Sequence, residues 1–493
     1  ALTFIRRGQA ERDNSRPLCA ANCTMIGLLE LEHARRRNQV GSTRRAMLDE
    51  TVKYLHSSIL DLAQRSDASE EYGWDSPPGA SYYAAVMNAM RQDALALLIR
   101  EPDSLGSNIS TKLARLAQLE NRVHSEDDVE GNGASVSREM KSWQSAVDDL
   151  ESVIGDTDLM SIVFPTEFEA PEPNGEHQLL IDCERMANGV MGIFGVWIRP
   201  SGDRPYVVFW NDLGDRASRF LDNLKSPVES RDTIPRTLTS ADATTDLLGE
   251  ITDALPDELI LILGRDELSR LTVMPTGVLW GIPWAALPIG SEPLIRRTIL
   301  RIAPLTAAID QKQKGEPSRS KLRVTAMIDD ELLDIGDDER DELNSMIDDR
   351  RTLEGLKEVD HGDISLIISH GTPIAGLAQH VGLGDEIYSA ADIVTGPAIG
   401  QVVIFLACWS TACRYGRAVE PIAFPTAALV RGARAVIGPE WALPTNSIGR
   451  LAIDLLRHPL IYVDAPAALR DVQLAALDRD PDPSTWATLA CFG

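Results

Sequence analysis

Among eight histidines and six cysteines, His370 and Cys408 stand where chemistry is easiest to build. Each closes a short apolar run: IISHG ends in His370 and Gly371, and VVIFLACWS carries Cys408 near its end. A thiolate is a nucleophile, and an imidazole within reach can take the thiol proton and later hand it to a leaving group. The backbone N–H groups of Gly371 and Cys408 could hold an oxyanion beside that thiol. Together these groups make an acyl-transfer site. The plain alternative is a buried core thiol and a strand that happens to stop at a histidine, since free cysteine is among the most buried residue types. The chain between His370 and Cys408 leaves room for a strand–helix crossover, which needs about a dozen residues.

The elements that must position the pair are short, continuously apolar and rich in Val and Ile. The expected strands are ELILIL (258 to 263), RLTVMP (270 to 275), KLRVTAMI (321 to 328), DISLIISHG (363 to 371), QVVIFLACWS (401 to 410) and ARAVIGP (433 to 439). Such runs suit strands covered on both faces, and helical runs between them, FPTAALVRG for one, argue for a largely parallel α/β sheet. Right-handed crossovers bring successive strand ends together, and sites in such sheets lie beyond the carboxyl ends of the strands. His370 and Cys408 both occupy such ends.

Other reactive residues have plainer readings. Cys413 could resolve an oxidised Cys408, but a passive loop cysteine explains it as well. His361 and His380 flank the histidine strand as substitutes for the base and read as exposed bystanders. Cys19 and Cys23 have the spacing of half a zinc site, yet no second pair follows, so they read as helix cysteines. Trp280, Trp284 and Trp441 sit in or beside apolar strand motifs and read as core. The acidic stretch from 329 to 351 reads as a solvated helix, with a docking surface for a basic partner as the alternative.

The 493 residues are enough for two or three domains. Apolar residues recur at three and four from about 24 to 155, so residues 1–163 are expected to be helical, with degenerate helical repeats as one form. FPTEFEAPEPNGEH (164 to 177) reads as a linker, and 178–493 as the α/β domain, opening on antiparallel strands around the turn PSGD. A net charge of −26 argues against direct nucleic acid binding. No run is long enough for a membrane span and no signal segment is read, although the first residue is Ala1. Six scattered cysteines suit a reducing compartment, so a cytoplasmic location is expected.

At these residues the chain resembles the CHAT family of caspase-like peptidase domains, relatives of caspases and separases. SHG (369 to 371) resembles the family's histidine strand and VVIFLACWST (402 to 411) its cysteine strand. VMPTGVLWGIPWAALPIG (273 to 290), PLIRRTILRIAPLTAAI (293 to 309), FPTAALVRGARAVIGPEWALP (424 to 444), AALRDVQLAAL (467 to 477) and WATLACFG (486 to 493) follow its order. The order and spacing of the set carry the resemblance, over 178–493.

The resemblance implies a caspase-like, largely parallel sheet flanked by helices. It also implies a cysteine endopeptidase that acts on proteins through His370 and Cys408, without metal or organic cofactor. A regulated prokaryotic signalling or defence setting goes with it, as does an activating protein partner bound through the N-terminal helical region. The alternative is a caspase-like scaffold that has lost activity and serves as an interaction module. Relatives that cleave after basic residues carry an acid shortly after the tryptophan of the last strand motif. Here Trp441 is followed by Ala442, Leu443, Pro444, Thr445 and Asn446, with Thr445 near the acid's place. A basic P1 residue would then need Glu440, Asp385 or Glu386 to turn into the pocket. The P1 preference stays open.

Overall fold

The computed structural model describes residues 176–185, 190–200, 206–224, 241–265, 269–303, 322–358, 361–371, 379–383, 386–411 and 423–493. The helical region and nearly all of the linker expected from the sequence, together with Cys19, Cys23, Cys413 and Asp385, lie outside these residues.

The strands in chain order are β1 (His177–Arg185), β2 (Met191–Ile198), β3 (Tyr206–Asp212), β4 (Arg270–Pro275), β5 (Pro288–Ile289), β6 (Glu292–Pro293), β7 (Ile299–Ile302), β8 (Val324–Ile328), β9 (Asp349–Arg350), β10 (Ile364–Ile368), β11 (His370–Gly371), β12 (His380–Leu383), β13 (Glu386–Ser389), β14 (Val402–Leu406), β15 (Ala435–Pro439) and β16 (Leu489–Phe492). The helices that cover them include α1 (Asp215–Leu224), α2 (Ala241–Asp253), α3 (Asp257–Gly264), α4 (Asp337–Ser345), α5 (Leu353–Leu356), α6 (Ala390–Thr395), α7 (Phe424–Val430), α8 (Thr445–Arg457) and α9 (Ala465–Arg479).

An 11-stranded sheet runs in the order β3-β2-β1-β4-β7-β16-β15-β14-β10-β8-β9. It consists of two parallel blocks of opposite direction. One joins β1, β4, β7 and β16, and the other joins β15, β14, β10, β8 and β9. The blocks meet at the antiparallel pair β15–β16, and the antiparallel strands β2 and β3 extend the far edge. This is the mostly parallel, helix-flanked sheet that the apolar runs and the resemblance led one to expect. The antiparallel strands around PSGD are also present, as β2 and β3.

The period of two explains why β8, β10, β14 and β15 are buried throughout. Ile367, Val403, Phe405 and Val436 face one core, where α7 contributes Phe424, Ala427 and Ala428. Ile364, Leu366, Ile368, Ile404, Leu406 and Ile437 face the other, under Leu451 and Leu455 of α8 and Leu469 and Val472 of α9. Burial of each such side chain contributes about 1.5–3 kcal/mol.

One expected strand is a helix. ELILIL falls within α3, which begins after Pro256 with Asp257 and Glu258 in its first turn. Leu259 and Leu263, four apart, are buried, while Leu261 between them is 51% exposed. A fully apolar run gives no period by which to separate helix from strand, and the deciding signals were the proline and the acids at its start. Trp280, Trp284 and Trp441 are core residues as read, and much of the acidic stretch forms α4.

Candidate active site

Three neighbouring parallel strands deliver the reactive side chains. In the β10–β14 ladder Ile368 stands opposite Leu406, so His370 and Cys408, each two residues further on, leave the sheet at the same level. Their backbones meet directly. A Cβ added at Gly371 would lie 1.8 Å from the Cys408 carbonyl oxygen, so only glycine lets the histidine segment lie against the Cys408 backbone. Cys408 is half-buried, and no described residue accepts a hydrogen bond from its backbone N–H.

The turn around Cys408 is held from several sides. Ser410 N donates to Ala407 O at 3.1 Å, closing a turn in which Trp409 has φ 55°. A bulky residue in this left-handed region costs about 1–3 kcal/mol, so its surroundings must hold it there. Trp409 N donates to Trp441 O at 3.1 Å, and Trp409 O accepts from Gln379 Nε2 at 2.8 Å. Gln379, fully buried, also accepts from Phe424 N at 2.6 Å through its Oε1, tying the turn to the start of α7. On the other side Leu443 N donates to Cys408 Sγ at 3.5 Å, and Sγ lies 3.9 Å from Leu443 O.

The third group was not anticipated. Asp329 directly follows β8, and its N–H donates to Ile368 O at 2.9 Å, so it sits beside the end of β10. Its side chain is 4% exposed, and its Oδ2 lies 3.6 Å from His370 Nε2, while the imidazole is 68% exposed. Oδ1 accepts from Glu331 N at 3.1 Å, which fixes the carboxylate in place. With Nε2 directed at Asp329, Nδ1 is the nitrogen left for a substrate or thiol proton. Asp329 opens the acidic stretch that read as a solvated surface. The signal that could have found it is its place at the carboxyl end of a buried strand, the same signal that found His370 and Cys408.

The residues considered for a substrate pocket are scattered. The loop of Trp441 is beside Cys408, through the Trp409–Trp441 and Cys408–Leu443 bonds, and Thr445 begins α8 two residues after Leu443, exposed. Glu440 is buried and lines a small internal cavity with Trp284, Gln473 and Cys491. Glu386 accepts from Glu354 N at 3.4 Å, and its register puts it on the face of the β11–β12–β13 sheet opposite His370. Of the other histidines, His361 is not an exposed bystander. It is half-buried, with Nδ1 2.8 Å from Ser365 Oγ and Nε2 3.1 Å from Leu356 O, because the turn before β10 folds it inward. His380 is half-buried in β12.

The paired ends of β10 and β14 and the loop after β15 can be set against known proteins. Residues 384–493 match the CHAT domain. The matched segment holds Cys408, Trp441 and the closing strand β16, while Asp329, His370 and Gly371 precede it. No curated protein matches the chain. Two structures of the Saccharomyces cerevisiae separase–securin complex align with 99% and 97% of the chain, at TM-scores of 0.43 and 0.41 and identities of 9% and 8%. The chain spans 48% and 40% of those chains. The Arg-specific cysteine proteinase gingipain R aligns with 49% of this chain and 68% of its own, at a TM-score of 0.33 and 9% identity. The CHAT match thus covers the cysteine of the site, while the places of His370 and Asp329 rest on the geometry. Among the described residues no helix is long and apolar enough to cross a membrane, and no cluster of His, Cys, Asp and Glu is arranged to hold a metal.

Proposed function

We propose that the protein is a cysteine endopeptidase in which Cys408 is the nucleophile, His370 the general acid and base, and Asp329 the residue that orients His370. The observation that carries this reading is the in-register exit of His370 and Cys408 from adjacent strands, with Gly371 packed on the Cys408 backbone. His370 Nδ1 takes the proton from Sγ, and the thiolate adds to the scissile carbonyl carbon. The N–H groups of Cys408 and Gly371 donate to the resulting oxyanion. As the tetrahedral intermediate collapses, the carbon–nitrogen bond breaks and the imidazolium gives its proton to the departing amine. A water molecule, deprotonated by the same imidazole, then cleaves the Cys408 thioester and releases the acid. Asp329, with its Oδ2 3.6 Å from Nε2, orients the imidazole and offsets the imidazolium charge.

The exposed Thr445 leaves no carboxylate at that position of the pocket loop, so a substrate with a P1 residue other than Arg or Lys fits this reading. Regulation by a partner, and a role in prokaryotic signalling or defence, belong to the same proposal. The direct test is labelling by a thiol-directed peptidyl electrophile, compared among the wild type, Cys408→Ala and His370→Ala. Loss of label in Cys408→Ala and slowed labelling in His370→Ala are expected, and equal labelling of the wild type and Cys408→Ala overturns the reading.

A further inference from the structure

Beyond His370 the chain builds a small antiparallel sheet, β11–β12–β13, whose outer face the catalytic scheme leaves unused. One register row crosses it: His370 stands opposite Gly382, and Gly382 opposite Ile387. Residues in one row of an antiparallel sheet project to the same face. The neighbouring row, Gly371, Val381 and Tyr388, projects to the other face, where Val381 and Tyr388 are buried. His370 and Ile387 therefore stand on the outer face, and Ile387 is 43% exposed.

Gly382 between them has no structural need to be glycine. Among the described residues a Cβ there would meet nothing closer than Glu386 O at 3.6 Å, an ordinary contact, and Gly382 is not among the residues with positive φ. Among the described residues the missing side chain leaves a trough there. Its floor is bare backbone, and its walls, two strand spacings or about 10 Å apart, are the imidazole and the Ile387 side chain.

The chemistry says which part of a substrate comes here. In acyl transfer the imidazole must hand its proton to the departing amine, and that nitrogen belongs to the residue just after the scissile bond. The side chain of that residue lies within reach of His370, and the adjoining open space on this face is the trough, closed at its far end by an aliphatic wall. We infer that the trough over Gly382 seats an apolar side chain of the substrate residue that follows the scissile bond, with Ile387 as its wall. This inference rests on the peptidase reading above and adds a specificity determinant on the leaving-group side.

Two peptidyl electrophiles of identical sequence before the reactive carbon separate the two ideas. One ends at the warhead and the other carries a leucine amide beyond it. The quantity read is the ratio of their Cys408 labelling rates, extended over short, with thermal unfolding of each variant recorded alongside. In Gly382→Val the new side chain fills the trough, and the ratio is expected to fall about tenfold, the usual worth of one or two methylenes in an apolar pocket. Ile387→Asp, at an exposed position that the fold tolerates, should lower the ratio by about the same factor. An unchanged ratio in both variants overturns the trough assignment while leaving the peptidase reading standing. Failure of both probes to label Cys408 in the wild type overturns the peptidase reading and the trough with it.

Discussion

Replacing Gly371 with alanine tests the central contact of the site with the smallest available change. The added methyl would stand 1.8 Å from the Cys408 carbonyl oxygen, 2.9 Å from its carbonyl carbon and 3.0 Å from its nitrogen. All three are backbone atoms, so no side chain can swing aside. The histidine and cysteine segments must part by more than an ångström to restore a normal contact. Overpacking of this kind costs about 1–3 kcal/mol, which thermal or urea unfolding would report as a lowered midpoint. The effect on chemistry is expected to be larger than that on stability. A displacement of about 1 Å between reacting groups costs about a hundredfold in rate, because proton transfer from Sγ and donation to the oxyanion both depend on this spacing. Labelling of Cys408 by a peptidyl electrophile in the folded Gly371→Ala protein should accordingly slow by about two orders of magnitude, with denatured protein labelled at the wild-type rate. A variant with both the wild-type unfolding midpoint and the wild-type labelling rate would refute the argument that Gly371 holds the pair together.

Asp329→Asn removes the charge opposite His370 Nε2 while keeping an oxygen for the Glu331 N–H, so unfolding should barely change and Cys408 labelling should slow by about 10–1000-fold; wild-type labelling would remove Asp329 from the site. Complete burial pushes the Cys491 thiol up to about 12, with Asp464 adding to the rise and Arg301 opposing it. At pH 8 Cys491 should resist alkylation in the native protein and react once unfolded, which peptide mapping after iodoacetamide treatment would check. Burial, with a smaller effect from the Arg199 charge, lowers the pKa of His177, whose Nδ1 accepts from Trp197 Nε1 at 3.1 Å. The unfolded chain then binds the proton more tightly than the folded one, so this histidine's contribution to stability is present above about pH 6.5 and is lost as pH falls below it. His177→Phe should unfold with a flatter dependence on pH across that window, and an unchanged slope in urea titrations would contradict the assignment.

His370 and Cys408 were legible because each closes a run of β-branched and aliphatic residues, and a buried parallel strand can hardly be written any other way. Asp329 closes KLRVTAMI in the same manner, but the acids after it made the whole stretch look like surface. Charge density masked a strand end. ELILIL shows the opposite confusion, since uniform apolarity erased the period that would have marked it as a helix. The packing of Gly371 on Cys408 and the left-handed backbone at Trp409 are not written in any local pattern. They arise where distant segments meet, Gln379 and Trp441 holding Trp409 from about thirty residues away on either side.

The seam between the two parallel blocks has a consequence for when the site can exist. β16, residues 489–492, is the strip that joins β7 to β15, and Glu440 N donates to Thr488 O at the root of the loop that reaches Cys408 through Leu443. A chain emerging from the ribosome could form β8, β10 and β14 early, but the two blocks have no common edge until those four residues arrive. The loop that reaches Cys408 would therefore gain its anchor only after the strands carrying His370 and Cys408 have formed, so the proposed peptidase site would be completed by β16.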